Sequence, residues 1–182
     1  MEMLIVVALF SVSVVVLAQT FASFNQLHRR IANRAVLSQD TRFIMESLVR
    51  TVRNLPLSYI VSPLARESEL RLDQADGMVL VVKLSAPGQA ECADLPTVSC
   101  LLLSTDGGTT WAPISGKRIN IERFDVYARP SDSPFIPIGG VYPNDIQPFV
   151  TVSLRTQYMA DNPKDRVTLE AQTTVSSRVY AR

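Results

Sequence analysis

The stretch "MEMLIVVALFSVSVVVLAQTF", residues 1–21, decides how the rest of the chain is read. From Met3 to Phe24 there is no charged residue, and the interruptions Ser11, Ser13, Gln19, Thr20 and Ser23 are all neutral. As a helix this segment spans about 33 Å. That length matches a hydrocarbon core of roughly 30 Å. A helix inside a small soluble domain is rarely apolar on every side over such a distance, so the segment reads as membrane-resident. One residue stands apart. Glu2 heads the run with no basic residue before it.

A cleavable secretory signal is the competing reading, because Val16-Leu17-Ala18 places small residues where a signal peptidase cuts. Against it, an acid occupies the place of the basic n-region. The helical pattern also runs on unbroken, with no proline before Pro56 and no glycine before Gly77. Orientation then poses a conflict. Arg29, Arg30 and Arg34 flank the C-terminal end of the segment, which by the positive-inside rule keeps residues 25–182 in the cytoplasm. Only three lysines, a cysteine pair and abundant β pattern suggest an extracytoplasmic domain instead. A basic leader ahead of Met1 removes the conflict, and its codons are the expectation to check.

The whole chain, 182 residues with 47% apolar and 19% charged, has room for one domain plus an appendage. A net charge of +1 gives no general argument for nucleic acid as a partner. The average conceals a basic stretch: Asn25 to Asn54 carries six arginines against Asp40 and Glu46. Helical periodicity persists there, with Leu27, Ile31 and Ala35, then Ile44, Leu48 and Val52, at intervals of four. Glu46 and Arg50 have the favourable order for a surface ion pair. Pro56, after Asn54, is a natural stop. Residues 2 to about 54 therefore read as one helix on the order of 80 Å long. The parts are 1–24, apolar, for a membrane or a filament core; 25–54, amphipathic; 55–69, a linking loop; and 70–182, an antiparallel β domain. Sustained heptads with charged flanks are missing from the first half, so a coiled coil is not expected.

Within the β domain, "LRLDQADGMVLVVKLSA" reads as two strands around a turn at Asp76-Gly77. "PTVSCLLLS" is a short strand. In "GKRINIERFDVYARP", Ile119 and Ile121 fall out of phase with Phe124 and Val126, which places a β-bulge at Glu122-Arg123. "QPFVTVSLRTQYM" alternates with Val150, Val152 and Leu154 inward. After the turn "ADNPKD", Val167, Leu169, Ala171, Thr173 and Val175 form the inward set of a last strand. The apolar side of this sheet needs a cover, and the amphipathic half of the helix is the evident one.

Two features carry local chemistry. Cys92 and Cys100 are too few for a zinc site; in an exported domain they close a small loop as a disulfide, in a cytosolic one they are buried thiols. "STDGGTTW", Ser104 to Trp111, resembles the Asp-box pattern S-x-D-x-G-x-T-W of sialidases and other β proteins. That pattern shapes a hairpin tip: Asp106 bonds backbone amides, Gly108 supplies unusual dihedrals, Ser104 and Thr110 support the turn, and Trp111 packs beneath.

"EMLIVVALFSVSVVVLA", Glu2 to Ala18, resembles the segment that follows the prepilin cleavage site in type IV pilins and pseudopilins. The match covers about twenty residues strongly and the long helix more loosely. The resemblance implies an α+β fold, a long N-terminal helix packed on an antiparallel β-sheet. It also implies that prepilin peptidase removes a basic leader and methylates the new N-terminus of the precursor. Met3, Leu4, Ile5, Val6, Val7, Leu9 and Phe10 would lie in the bilayer, among membrane lipid, and later in a helical filament of copies of the chain or other pilins. Glu2 would pair with the terminal ammonium of a neighbour, which fits the cost of leaving a carboxylate unpaired in lipid. The chain departs from the family in lacking the leader, the glycine and most of the residues before Glu2. It also lacks a loosening glycine or proline in the first half of the helix, and its cysteines lie mid-domain. These departures suit a minor pilin or pseudopilin.

No glycine-rich phosphate loop, metal-ligand cluster or catalytic constellation stands out, so no cofactor, metal, nucleic-acid partner or enzymatic activity is expected. His28 sits among arginines at the membrane exit. Two functions remain in view. One is a subunit of a type IV pilus or secretion pseudopilus, stored in the cytoplasmic membrane with its domain outside and displayed at the cell surface after assembly. The other is a signal-anchored extracytoplasmic binding module that recognises a partner near Trp111.

Overall fold

A computed structural model describes residues 2–59, 68–92, 97–131, 133–134 and 147–177, with the Glu2 side chain excluded. A single helix, α1, runs Glu2–Asn54. No glycine or proline interrupts it, and Pro56 forbids its continuation. The last turn closes with Leu55 N–H donating to Thr51 O at 3.1 Å, and Arg53 lies where the helix dipole favours a cation.

The strands are β1 Glu69–Asp73, β2 Val79–Leu84, β3 Leu101–Ser104, β4 Ala112–Pro113, β5 Ile119–Arg129, β6 Phe149–Tyr158 and β7 Val167–Ser176. All pair antiparallel, but among the described residues they form two sheets, in orders β1-β2-β3-β4 and β5-β6-β7. A single sheet was expected. Strand alternation is the same in either arrangement, so the sequence pattern does not separate them. The fold is α+β: a long N-terminal helix packed with antiparallel sheets.

The β1–β2 turn falls where Asp76 and Gly77 suggest it. Gly77 has φ +82° and Asp76 Oδ1 accepts the Met78 N–H at 3.0 Å. Ahead of β1, the end of the linking segment already belongs to the first sheet. Leu57 bridges Leu72, with Asp73 N–H donating to Pro56 O at 2.9 Å. Glu69 is likewise strand rather than loop. Residues 60–67 of that linker lie outside the described residues.

In β5 the register shifts between Ile121 and Arg123, so Ile119, Ile121, Phe124, Val126 and Ala128 all face the core. Along β6, Val150, Val152 and Leu154 are buried and Arg155 is exposed; β7 buries Val175 and alternates as its pattern indicates.

One core joins the helix to both sheets. Leu37, Ile44, Met45, Leu48 and Val52 of α1 pack with Leu70, Leu72, Val82 and Leu101 of the first sheet and with the inward residues of the second. Burying each of these larger side chains stabilises by about 1.5–3 kcal/mol. Thr41 and Thr156 share a hydrogen bond of 2.9 Å inside that contact. At the rim Gly116 meets the Asp40 carboxylate so closely that a Cβ would strike it. A second, small cluster holds Cys92, Cys100 and Leu102, with Trp111 against it.

The cover begins later than the periodicity implies. Leu27 and Ile31 are 56% and 59% exposed, while Leu37, Ile44, Leu48 and Val52 are buried. Steps of four residues advance about 40° around a helix, and the nine-residue gap from Ala35 to Ile44 adds about 180°. The two runs are therefore centred about 100° apart, and Leu27 shares the phase of the buried Met45; it is exposed because it lies ahead of Leu37, the first α1 residue in the core. Only the second meets the sheets. Glu46 and Arg50 make no ion pair among the described residues, and their side chains are exposed.

Candidate functional site

The apolar half of α1 is the largest unpartnered surface among the described residues. Met3, Leu4, Ile5, Val6, Val7, Leu9 and Phe10 are between 60% and 82% exposed, and Val12 to Leu17, Phe21 and Phe24 continue the surface. The helix is long and apolar enough to cross a membrane, and none of its most apolar window is buried. Three of its hydroxyls are internally satisfied. Ser11 donates to Val7 O at 2.8 Å, Ser13 to Leu9 O at 2.9 Å and Thr20 to Val16 O at 2.8 Å. A lipid or protein partner would therefore meet a surface on which these three hydroxyls ask for no water. Glu2 is the first helical residue, next to the start of this surface; its side chain lies outside the description.

Where α1 leaves the apolar run, two polar contacts fix it to the β6–β7 connection. Arg30 Nε donates to Lys164 O at 2.7 Å, and Asn33 Nδ2 donates to Asp165 O at 3.0 Å. These join the helix to a single 3-10 turn, Pro163–Asp165, capped by Asn162, whose side chain accepts the Lys164 N–H at 3.0 Å. The partners lie more than 130 residues apart, so no local pattern announces them. His28 is exposed on the same stretch.

Cys92 and Cys100 are joined, with S–S 2.03 Å, and no free cysteine remains. The bridge closes a short loop, of which residues 93–96 lie outside the description, and Cys100 N–H donates to the buried Ser85 Oγ at 2.8 Å.

The Ser104–Trp111 hairpin between β3 and β4 is built around one carboxylate. Asp106 accepts from Ser104 Oγ at 2.7 Å, Thr110 Oγ1 at 2.6 Å, and the Thr109 and Thr110 N–H groups at 2.9–3.0 Å. The Ser104 and Thr110 hydroxyls, aided by those amides, hold its carboxyl well below the usual carboxylate range. Gly108, at φ +103°, takes a backbone conformation that a side chain disfavours, and its N–H donates to Ser104 Oγ at 2.8 Å. Lys83 Nζ lies 3.8 Å from the centre of the Trp111 ring. The hairpin also walls a cleft of about 350 Å³, with Trp111, Lys83, Arg71 and Glu69 around it. Arg71 and Glu69 pair at 3.0 Å.

No group of three or more His, Cys, Asp or Glu residues that could hold a metal occurs among the described residues. No family model, curated protein or solved structure matches the chain.

Proposed function

We propose that the protein is a structural subunit of a type IV pilus or a type II secretion-like pseudopilus, held in the membrane by its N-terminal helix until it assembles. The observation that carries this reading is the exposed, uncharged helical surface from Met3 to Phe24 with an acid at its head. One rigid helix joins that surface to a folded domain that makes no use of it. In a bilayer the surface meets lipid; in a filament it meets the same surface of other copies or other pilins. Glu2 supplies the contact between subunits, pairing with a neighbour's N-terminal ammonium once prepilin peptidase has processed the precursor. The domain then stands outside the cytoplasmic membrane, where the Cys92–Cys100 bridge is chemically at home.

Glu2→Leu tests the assignment. The variant inserts into membranes as the parent does, and the filament or pseudopilus fraction falls to a small residue. Unchanged assembly of Glu2→Leu would rule out the pairing role.

The Trp111 cleft favours a second reading, a membrane-anchored binding module. On that reading Glu2→Leu is silent, and a Trp111→Ala, Lys83→Ala double substitution removes partner binding instead.

A further inference from the structure

A cavity of about 480 Å³ lies where α1 meets the β6–β7 connection. Phe21 and Ala22 line it from the last turns of the apolar run, and Asn25 and Arg29 from the first polar turns. Lys164 and Asp165 line it from the 3-10 turn. Asp165 is only 6% exposed, and its Oδ1 has no hydrogen-bond partner among the described residues. A buried carboxylate oxygen without a donor is costly, and a cation in the adjoining cavity would satisfy it. The neighbouring cations do not fill that role. Arg30 Nε is committed to the Lys164 carbonyl, and the Arg29 and Lys164 side chains are exposed without an ion pair among the described residues.

The level of the cavity narrows the ligand. Phe24 ends a span of about 33 Å, so Asn25 to Arg29 fall within the roughly 5–8 Å headgroup layer beyond the hydrocarbon. A ligand here presents acyl carbon to Phe21 and Ala22, an anion to two cations, and a hydrogen-bonding cation to a carboxylate. We infer that this cavity binds the headgroup of an aminophospholipid, its phosphate between Arg29 and Lys164 and its primary ammonium on Asp165. Choline headgroups offer no N–H to Asp165, and glycerol headgroups offer no cation. The site orients the subunit at the membrane surface by fixing the rotation of α1 about its axis. This inference rests on the membrane-held reading above.

The test uses full-length protein. Flotation with vesicles of phosphatidylcholine alone checks anchoring by the apolar helix. Native mass spectrometry from detergent, with equimolar phosphatidylethanolamine, phosphatidylcholine and phosphatidylglycerol, then reads the headgroup preference. Phosphatidylethanolamine is retained about tenfold over the other two, as expected for a charge-assisted hydrogen bond. Asp165→Asn abolishes that preference while leaving phosphate-dependent retention. Arg29→Gln, at an exposed side chain that leaves folding intact, weakens retention of phosphatidylethanolamine and phosphatidylglycerol alike. Equal retention of the three lipids by the parent protein overturns the site, as does an unchanged preference in Asp165→Asn or an undiminished retention of both lipids in Arg29→Gln. Protein that floats yet shows no preference refutes the headgroup site alone; protein that fails to float refutes the membrane reading as well.

Discussion

The two halves of α1 share one backbone geometry and almost nothing else. Between Leu37 and Val52 the helix is held in a core it shares with two sheets, with Ile44, Leu48 and Val52 each no more than 2% exposed. Between Met3 and Phe24 the side chains are more apolar and none is covered. Hydrophobicity alone therefore does not tell a core from an interface. What distinguishes them is angular distribution: a stripe that a single domain can cover, against a cylinder that only a surrounding medium or a ring of neighbours can cover. The first half is stabilised by what the molecule is placed in, the second by the molecule itself.

Matched truncations probe this contrast with the largest effect. Leu48→Ala destabilises the folded domain by about 3 kcal/mol in denaturant unfolding of the detergent-solubilised protein. Leu9→Ala, the same change at a residue 66% exposed, shifts it by less than about 0.5 kcal/mol. Comparable losses at both positions would mean that the apolar half folds back on the domain. A smaller effect comes from the far side of the β domain. Replacing Cys92 and Cys100 by serine releases a short loop and lowers stability by about 2–3 kcal/mol, with adding reductant to the parent protein giving the same midpoint. The smallest is electrostatic. Because the Asp106 carboxyl titrates below its unfolded value, its contribution is full at neutral pH and fades as pH falls below about 4, toward its lowered value. Thermal unfolding of Asp106→Asn should accordingly lose less on acidification than the parent protein does. An identical acid slope in both would assign the acid sensitivity elsewhere.

Much of this arrangement is legible in the residues, for reasons that differ by region. The helix from Glu2 to Asn54 needs only the missing glycines and prolines and the stop at Pro56. The bulge at Ile121–Arg123 is visible because a slip of one residue reverses the face of every later side chain. The hairpin tip is written in local side-chain chemistry, with Asp106 reaching amides three and four residues ahead. The division into two sheets is not legible, since alternation records which face a side chain takes and not which strand lies beside it. Nor is the clamp of Arg30 and Asn33 on the 3-10 turn, because the acceptors are backbone carbonyls and carry no sequence signature. Asp165 reads as one more turn carboxylate within "ADNPKD", and only the folded chain shows it buried. Leu27 and Ile31 mislead in the opposite direction. Their spacing is that of a covered stripe, but they lie along the axis ahead of Leu37, where the core begins.

On the proposed function, the first half of α1 is covered by other copies of such helices after assembly. Placing a photo-crosslinking phenylalanine analogue at Phe10, 70% exposed here, tests it directly in isolated filaments or pseudopili. Covalent subunit dimers and higher ladders are expected from Phe10, and none from the same analogue at Trp111. Monomers carrying only lipid adducts at Phe10 in that assembled fraction would contradict it.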